Sequence, residues 1–384
     1  MALATDQARP RWLPRPWLLA FCVNFAVVVL ILAAAERYFQ AQEPLERRMD
    51  YSEEVFSSDE ALGYKASANR RIGHRSYGGE QLLYDVTYTL DAQGLRISAP
   101  IQADRGQHLP CLAFFGDSFT FGEGAVDEDT LPYQVWKRIG HRYRTVNFGF
   151  LGYGPHQMLA AIEQGHLTSR GHCQLRYIIY QAIPAHVSRA AGLEFWDYHG
   201  PRYRLEADGT VRHDGHFDDR PPATPGEWLR SFHRKLPMRM REHLESSALY
   251  RRVFHAHRPV YEPDIALYAS IVATAQQTAT QAFPDAAFRV LFWDYDDDAE
   301  VGGQVLAQLR ARGIAVYPMS EILPGFPAER ARYEISPYDK HPNALAHRLI
   351  ADFVVGRLIE APPEYRPSRP QEASASHRIE SAYR

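Results

Sequence analysis

Cys111-Leu112-Ala113-Phe114-Phe115-Gly116-Asp117-Ser118-Phe119-Thr120-Phe121-Gly122-Glu123-Gly124 is the stretch around which the rest of the chain is organised. The apolar run Leu112 to Phe115 predicts a buried strand. It breaks at Gly116-Asp117-Ser118, just ahead of a polar, glycine-containing turn and a helical pattern. A serine is therefore delivered at the carboxyl end of a strand. In open α/β sheets ligands bind at that edge, and a helix starting there offers unpaired backbone N–H groups to a developing anion. The tripeptide alone fits equally a serine that merely caps a helix.

Two further stretches favour chemistry. Near the C-terminus, Ser336-Pro337-Tyr338-Asp339-Lys340-His341-Pro342-Asn343 precedes an amphipathic helical pattern and puts a carboxylate and an imidazole together on a loop. These are the other parts of a nucleophile, base and orienter set. Between them, Thr145-Val146-Asn147-Phe148-Gly149-Phe150-Leu151-Gly152-Tyr153-Gly154 predicts a short strand ending in glycines. Such glycines can bring backbone N–H groups close to a substrate oxygen.

With these residues in view, the sequence resembles the GDSL or SGNH hydrolases. Gly116-Asp117-Ser118 looks like the family's nucleophile block, Asn147-Phe148-Gly149 like its glycine block, and Asp339 to Asn343 like its acid and base block, a likeness running over about residues 108 to 360. The resemblance implies a flavodoxin-like, doubly wound parallel sheet of about five strands. It also implies acyl-ester chemistry with Ser118 as nucleophile, His341 as base, Asp339 as orienter, and the N–H groups of Ser118 and Gly149 as oxyanion donors. Two features depart from the pattern. After the third strand the family commonly has Gly-Asn-Asp, whereas here the chain reads Gln181-Ala182-Ile183-Pro184-Ala185-His186; and one residue, Lys340, separates Asp339 from His341 in place of two. Gln181 or His186 could lend the missing side-chain donor or be structural.

At 384 residues, 45% hydrophobic and 23% charged, the chain can bury a full core. A net charge of -3 with scattered basic residues gives no sign of a nucleic-acid partner. Arg9, Arg11 and Arg15 precede an uncharged run from Trp17 to Ala35, long enough to cross a hydrocarbon core that needs about 20 apolar residues. Arginines before the span place the N-terminus in the cytoplasm and the catalytic part outside, in the periplasm if the cell is Gram-negative. The rival is a cleavable signal peptide, since Ala33-Ala34-Ala35 satisfies a small-residue cleavage site; the run exceeds the roughly 7–15 apolar residues usual there, which favours a retained anchor. Cys22 falls in the span. Cys111 and Cys173 precede strands that are neighbours in the expected sheet order, so a disulfide between them is open outside the cytoplasm.

The chain then divides into a cytoplasmic N-terminus over 1–16, a transmembrane helix over 17–35, a stalk and β-hairpin extension over 36–107, a hydrolase-like domain over 108–360 with an insertion over 187–262, and a disordered tail over 361–384. The polar stretch 36–62 predicts a helical stalk with no chemistry. Residues 80–97 alternate as a β-hairpin with Val86, Tyr88 and Leu90 on one face and a turn at Asp91-Ala92-Gln93-Gly94. Strands at 144–147, 176–182, 288–293 and 314–317 alternate with helices at 131–139, 155–166, 264–283, 301–312 and 344–358, as a parallel sheet covered on both faces requires. The insertion carries a hairpin pattern with Asp208-Gly209 at its turn. Its aromatics Phe195, Trp196, Tyr198 and Tyr203 could stack on sugar rings or form a small core.

Other constellations are weaker. The acidic run Asp294 to Asp298 lacks the glycine and final glutamate of a calcium loop, and no phosphate loop, dinucleotide fingerprint or paired Cys-x-x-Cys is present, so neither metal nor cofactor is expected. The combined expectation is a membrane-anchored serine esterase acting on a small acyl ester, such as an O-acetyl group on a glycan. Transfer of the acyl group to a sugar hydroxyl uses the same residues. A third alternative is a catalytically weak envelope scaffold.

Overall fold

The computed structural model of the protein describes residues 15–42, 47–100, 109–140, 142–169, 174–194, 196–219, 240, 243–244, 246–252, 260–295 and 299–359. The uncharged N-terminal run forms helix α1 (Arg15–Gln42). From Trp17 to Gln42 it is long and apolar enough to cross a membrane, and none of its most apolar stretch is buried against protein. The expected helical stalk ends with it. Three short strands follow, β1 (Arg47–Tyr51), β2 (Phe56–Asp59) and β3 (Gly63–Ala66). Strands this polar take their stability from partners, which sequence periodicity does not reveal. β1 pairs antiparallel with β4 (Arg71–Gly78), and β4 with β5 (Gln81–Thr89), giving the order β1-β4-β5.

The expected hairpin over 80–97 is therefore displaced. Tyr84, Val86, Tyr88 and Leu90 do point inward. The long partner of β5 is nonetheless β4 on its N-terminal side, while the Asp91–Gly94 turn is closed only by the isolated Leu90–Arg96 bridge. The inner face of β4 includes His74 and Ser76, both fully buried. Their polarity breaks the apolar alternation that would have marked the strand.

From Cys111 onward strand and helix alternate: β6 (Cys111–Phe115), α2 (Ser118–Phe121), α3 (Leu131–Arg138), β7 (Arg144–Asn147), α4 (Pro155–Glu163), β8 (Leu175–Ala182) and α5 (His186–Ala190). The insertion contributes β9 (Pro201–Leu205), β10 (Val211–His216) and the single turn α6 (Ala248–Tyr250). Then come α7 (Glu262–Ala282), β11 (Ala287–Phe292), α8 (Ala299–Ala311), β12 (Val316–Pro318), the paired strands β13 (Glu334–Ser336) and β14 (Asp339–Pro342), and α9 (Ala344–Phe353).

Five of these strands form one sheet in the order β12-β11-β8-β6-β7, every neighbouring pair parallel. This is the flavodoxin-like order, whose direction reverses between β6 and β8. Alternate side chains of each strand go to opposite layers. Leu112, Phe114 and Ile179 pack with Leu131 and Val135 of α3 and Ile350 of α9; Ala113, Phe115 and Ile178 pack with Leu159 of α4, Tyr268 of α7 and Leu309 of α8. Burial on both faces is why β6 and β8 read as unbroken apolar runs. Cys111, at the start of β6, is disulfide-bonded and Cys22 is free; Cys173 lies outside the described residues.

In the insertion, β9 and β10 pair antiparallel, with Gly209 at φ +84° in their turn. The proposed sugar-stacking aromatics separate. Tyr203 is buried and donates to Glu163 Oε2 at 2.6 Å, whereas Trp196 and Tyr198 are 40% and 39% exposed; Phe195 is outside the described residues. The turn α6 docks on the end of the apolar helix, where the Glu36 carboxylate accepts from Ser247 Oγ at 2.7 Å and from the N–H groups of Ala248 and Leu249 at 2.9 and 3.0 Å. Residues 1–14, Asp296 to Asp298 and the tail from 360 fall outside the described residues, so the disordered-tail expectation lies there too.

Candidate active site

Ser118 leaves the carboxyl end of β6, beside the point where the strand order reverses. The turn that delivers it is held from several sides. At Gly116 a Cβ would overlap Thr120 Oγ1 and the Gln181 carbonyl, and its φ of +150° is one that L side chains rarely adopt, so only glycine serves there. Asp117 caps α2 by accepting from Phe119 N–H at 3.0 Å through Oδ1. Its Oδ2 lies 2.8 Å from Arg189 Nη1 and 3.2 Å from His186 Nε2. Burial works against this carboxylate, but His186 and Arg189 overcome it and hold its pKa far below the usual range. Arg96, 1% exposed, supports the far end of α2 by donating to the carbonyls of Phe121, Gly122 and Ala125.

His341 and Asp339, the expected base and orienter, arrive on β14 rather than on an open loop. Its pairing with β13 and the next residue, Asn343, fix its place: Asn343 Oδ1 caps α9 at Ala346 N–H (3.1 Å), while Nδ2 donates to the carbonyls of Arg332 and Glu334. The three side chains singled out in the sequence come together. His341 Nε2 lies 2.8 Å from Ser118 Oγ, and His341 Nδ1 lies 2.6 Å from Asp339 Oδ1. The single intervening residue is no obstacle, because in an extended strand the backbone N–H of His341 also reaches Asp339 Oδ1, at 3.1 Å.

Sequence reasoning missed two charged partners. Arg47, in the segment taken for a stalk, places Nη2 2.6 Å from Glu123 Oε1, 2.8 Å from Asp339 Oδ2 and 2.6 Å from the Tyr84 hydroxyl, while its Nε donates to Ser76 Oγ at 3.0 Å. Nη2 has two hydrogens for three oxygens. Asp339 Oδ2 is the oxygen left with charge contact alone, and it has no hydrogen-bond partner. Glu123, five residues after the serine, brings Oε2 within 3.3 Å of His341 Nε2. Glu123 could have been suspected from the FGEG turn; Arg47 carried no local signal.

These charges set the protonation of the site. Burial disfavours the His341 imidazolium, yet Glu123 and then Asp339 outweigh it and raise the pKa above that of an ordinary histidine, with Arg47 opposing. Asp339 is penalised by burial but held below the usual carboxylate range by His341 and Arg47. His74, stacked on Tyr51 just behind this cluster, is pushed down to about 4 by burial and stays neutral.

The expected oxyanion donors fare differently. Ser118 N–H makes no hydrogen bond among the described residues and stays available. Gly149 N–H is committed to Asn147 Oδ1 at 3.0 Å, and the Gly149 Cα packs on Thr120 and the Phe121 backbone. Gly149 is thus spoken for structurally. His186 is structural as well, buried between Asp117 and the Tyr180 hydroxyl (2.6 Å). Gln181 accepts weakly from Thr120 Oγ1 at 3.4 Å, and its Nε2 is buried without a partner. Asp294 Oδ1 accepts from Ser320 N–H at 3.0 Å, and no cluster of three His, Cys, Asp or Glu among the described residues could hold a metal ion. A cavity of about 260 Å³ between β2–β3 and α4 shares the Gly116 backbone with the site, but none of the three side chains lines it.

No family model matches the chain, and no curated protein matches it in sequence. Solved structures that it resembles include a lipolytic protein of the G-D-S-L family from Desulfitobacterium hafniense DCB-2, at 11% identity over 65% of this chain and 99% of that one, with a TM-score of 0.35. An acetylxylan esterase from Geobacillus stearothermophilus is similar at 13% identity over 65% of this chain and 95% of that one, TM-score 0.35. An acetyl xylan esterase from the rumen bacterium Butyrivibrio proteoclasticus is similar at 12% identity over 65% and 64%, TM-score 0.34. The fold itself rests on its own strand order. The flavodoxin-like parallel sheet, which is the architecture that the GDSL and SGNH resemblance implied, presents Ser118 at its carboxyl edge, where the separate β13-β14 pair brings Asp339 and His341.

Proposed function

We propose that the chain is a serine esterase of the GDSL/SGNH kind that hydrolyses small O-acyl esters, with an O-acetylated glycan as its substrate class. The observation that carries this reading is the continuous Ser118–His341–Asp339 contact, at 2.8 and 2.6 Å. An alcohol is a poor nucleophile at neutral pH unless a base removes its proton. Ser118 Oγ attacks the acyl carbon as its proton moves to His341 Nε2. Asp339 holds the other ring nitrogen and stabilises the imidazolium. The free Ser118 N–H donates to the oxyanion. Collapse breaks the bond to the alcohol oxygen, which takes the proton from Nε2. Water then repeats the sequence on the acyl-serine and releases the acid.

The glycan is supported by the insertion. Trp196 is exposed yet meets the site's glycine-rich turn, for a Cβ on Gly152 would lie 2.6 Å from its indole nitrogen. An exposed aromatic there suits a sugar face. An extracytoplasmic place, with α1 as the anchor, is supported by the arginines before the apolar run and by the disulfide at Cys111, since such bonds persist in oxidising compartments.

The test is labelling by a fluorophosphonate, which mimics the acyl-transfer transition state. The full-length protein in detergent should label and should release acetate from an acetylated glycan. Ser118→Ala abolishes labelling and His341→Ala reduces it strongly, each variant being shown to melt cooperatively. Folded wild type that neither labels nor cleaves acetyl esters across neutral pH would leave the scaffold reading in its place.

A further inference from the structure

The ring nitrogen that faces the nucleophile has two oxygens beside it. His341 Nε2 lies 2.8 Å from Ser118 Oγ and 3.3 Å from Glu123 Oε2. The other Glu123 oxygen is tied to Arg47 Nη2 at 2.6 Å, and the residue is 6% exposed. The carboxylate therefore cannot turn into solvent without breaking a charge-assisted hydrogen bond. Any oxygen nucleophile that attacks acyl-Ser118 must give its proton to Nε2, so it must sit within about 3 Å of that nitrogen. That position adjoins Glu123 Oε2. Water has two hydrogens and can donate one to the ring and one to the carboxylate. A monohydric alcohol has a single one, which the ring takes. A 1,2-diol carries a second donor on the neighbouring carbon.

We propose that Glu123 selects the acyl acceptor: through Oε2 it holds the second hydrogen of the attacking water, or the neighbouring hydroxyl of a vicinal diol such as a sugar edge, while His341 takes the first. This deepens the serine-esterase reading and rests on it. In the step concerned, the attacking oxygen bonds to the acyl carbon as its proton moves to Nε2. The acyl carbon–Oγ bond then breaks, and Nε2 returns the proton to Ser118 Oγ. Glu123 neither gains nor loses a proton. It orients the nucleophile and leaves departure of a leaving group that has no second donor largely to His341.

The experiment follows pre-steady-state turnover of p-nitrophenyl acetate by full-length wild type and Glu123→Gln, at a pH where His341 is neutral in both. Glutamine keeps an oxygen for Arg47 but presents an amide N–H₂ to the water, which cannot accept. Removing a hydrogen bond to a charged group costs on the order of a tenfold or greater loss in rate, so the ratio of acylation to deacylation rates should rise by about tenfold and a burst of nitrophenol should grow. Equal slowing of both steps overturns the proposal, because Glu123 would then act only through His341 or the fold. A second measurement needs no variant. With wild type, acyl transfer to ethylene glycol should exceed transfer to ethanol by well over the statistical factor for two hydroxyls, and 1,3-propanediol should resemble ethanol. The same yield per hydroxyl for all three overturns the proposal. Wild type that shows neither a burst nor a fluorophosphonate label overturns the esterase reading itself, an outcome distinct from either of these.

Discussion

Arg47→Met removes a cation that two carboxylates of the site share. Glu123 and Asp339 lie 2.6 and 2.8 Å from Arg47 Nη2, and their side chains are 8% and 0% exposed. At an effective dielectric near 20, each contact has a gross attraction of roughly 6 kcal/mol. Most of that offsets desolvation, and breaking a buried pair from one side costs about 3–5 kcal/mol. The Arg47 side chain is 21% exposed, so the lower end applies, about 3 kcal/mol. At an unfolding entropy of about 2.1 cal/mol/K per residue, that lowers the melting temperature of a chain of this size by roughly 4–5 °C. The effect on rate has a defined sign. Arg47 disfavours the His341 imidazolium; without it the pKa of the ring rises further. Because the base must be neutral, the acid limb of kcat/KM moves to higher pH, and activity lost at neutrality returns in alkali. Arg47→Lys restores the charge without the planar fork, so it should recover the pH limb more fully than the melting temperature. The assay is ester hydrolysis across pH by full-length protein in detergent, alongside thermal melts. An acid limb and a melting temperature both unmoved in Arg47→Met would refute the reasoning and make the contact an ordinary surface ion pair.

Wild type itself should show an acid limb above the ordinary histidine value, since Glu123 and Asp339 raise the His341 pKa; a limb at or below that value in a pH–rate profile contradicts the charge arrangement. Asp117→Asn should cost about 3 kcal/mol by leaving buried Arg189 and His186 without their carboxylate. A carboxylate with a depressed pKa stabilises above its unfolded value and loses that contribution as pH falls, so the deficit measured by denaturant titration should shrink toward acid; a deficit constant with pH would count against it. Glu36→Gln should speed hydrogen exchange at the amides of Ala248 and Leu249, which Glu36 accepts from. Unchanged exchange there would mean that the turn is held by something else.

The parts legible in the sequence are those whose signal is local. β6 and β8 are buried on both faces and announce themselves as apolar runs, and Ser118, Asp339 and His341 sit in short motifs whose neighbours do the positioning. What was missed depends on distant partners. β4 hides because its inner face carries His74 and Ser76, and β1 because its residues are mostly exposed and polar. Arg47 looked like one charge in a solvated stalk until β4 and β5 brought it to Glu123, 76 residues away. Gly149 shows the reverse error. A glycine after a strand suggests a free amide, but the preceding asparagine had already claimed it.

The place of Arg47 also changes what counts as the catalytic unit. The parallel sheet begins at Cys111, and a polypeptide trimmed to about residue 108 would contain every strand and layer helix of that sheet. It would lack Arg47, Ser76 and Tyr84, together with the β1-β4-β5 roof whose Gly78 lies against Tyr338 of the turn joining β13 to β14. The span that holds the parallel sheet and the span that holds the whole charged site are therefore different lengths. Processing after Ala35 keeps both. A cut a dozen residues further on separates them, leaving an intact sheet whose His341 answers to two carboxylates and no arginine.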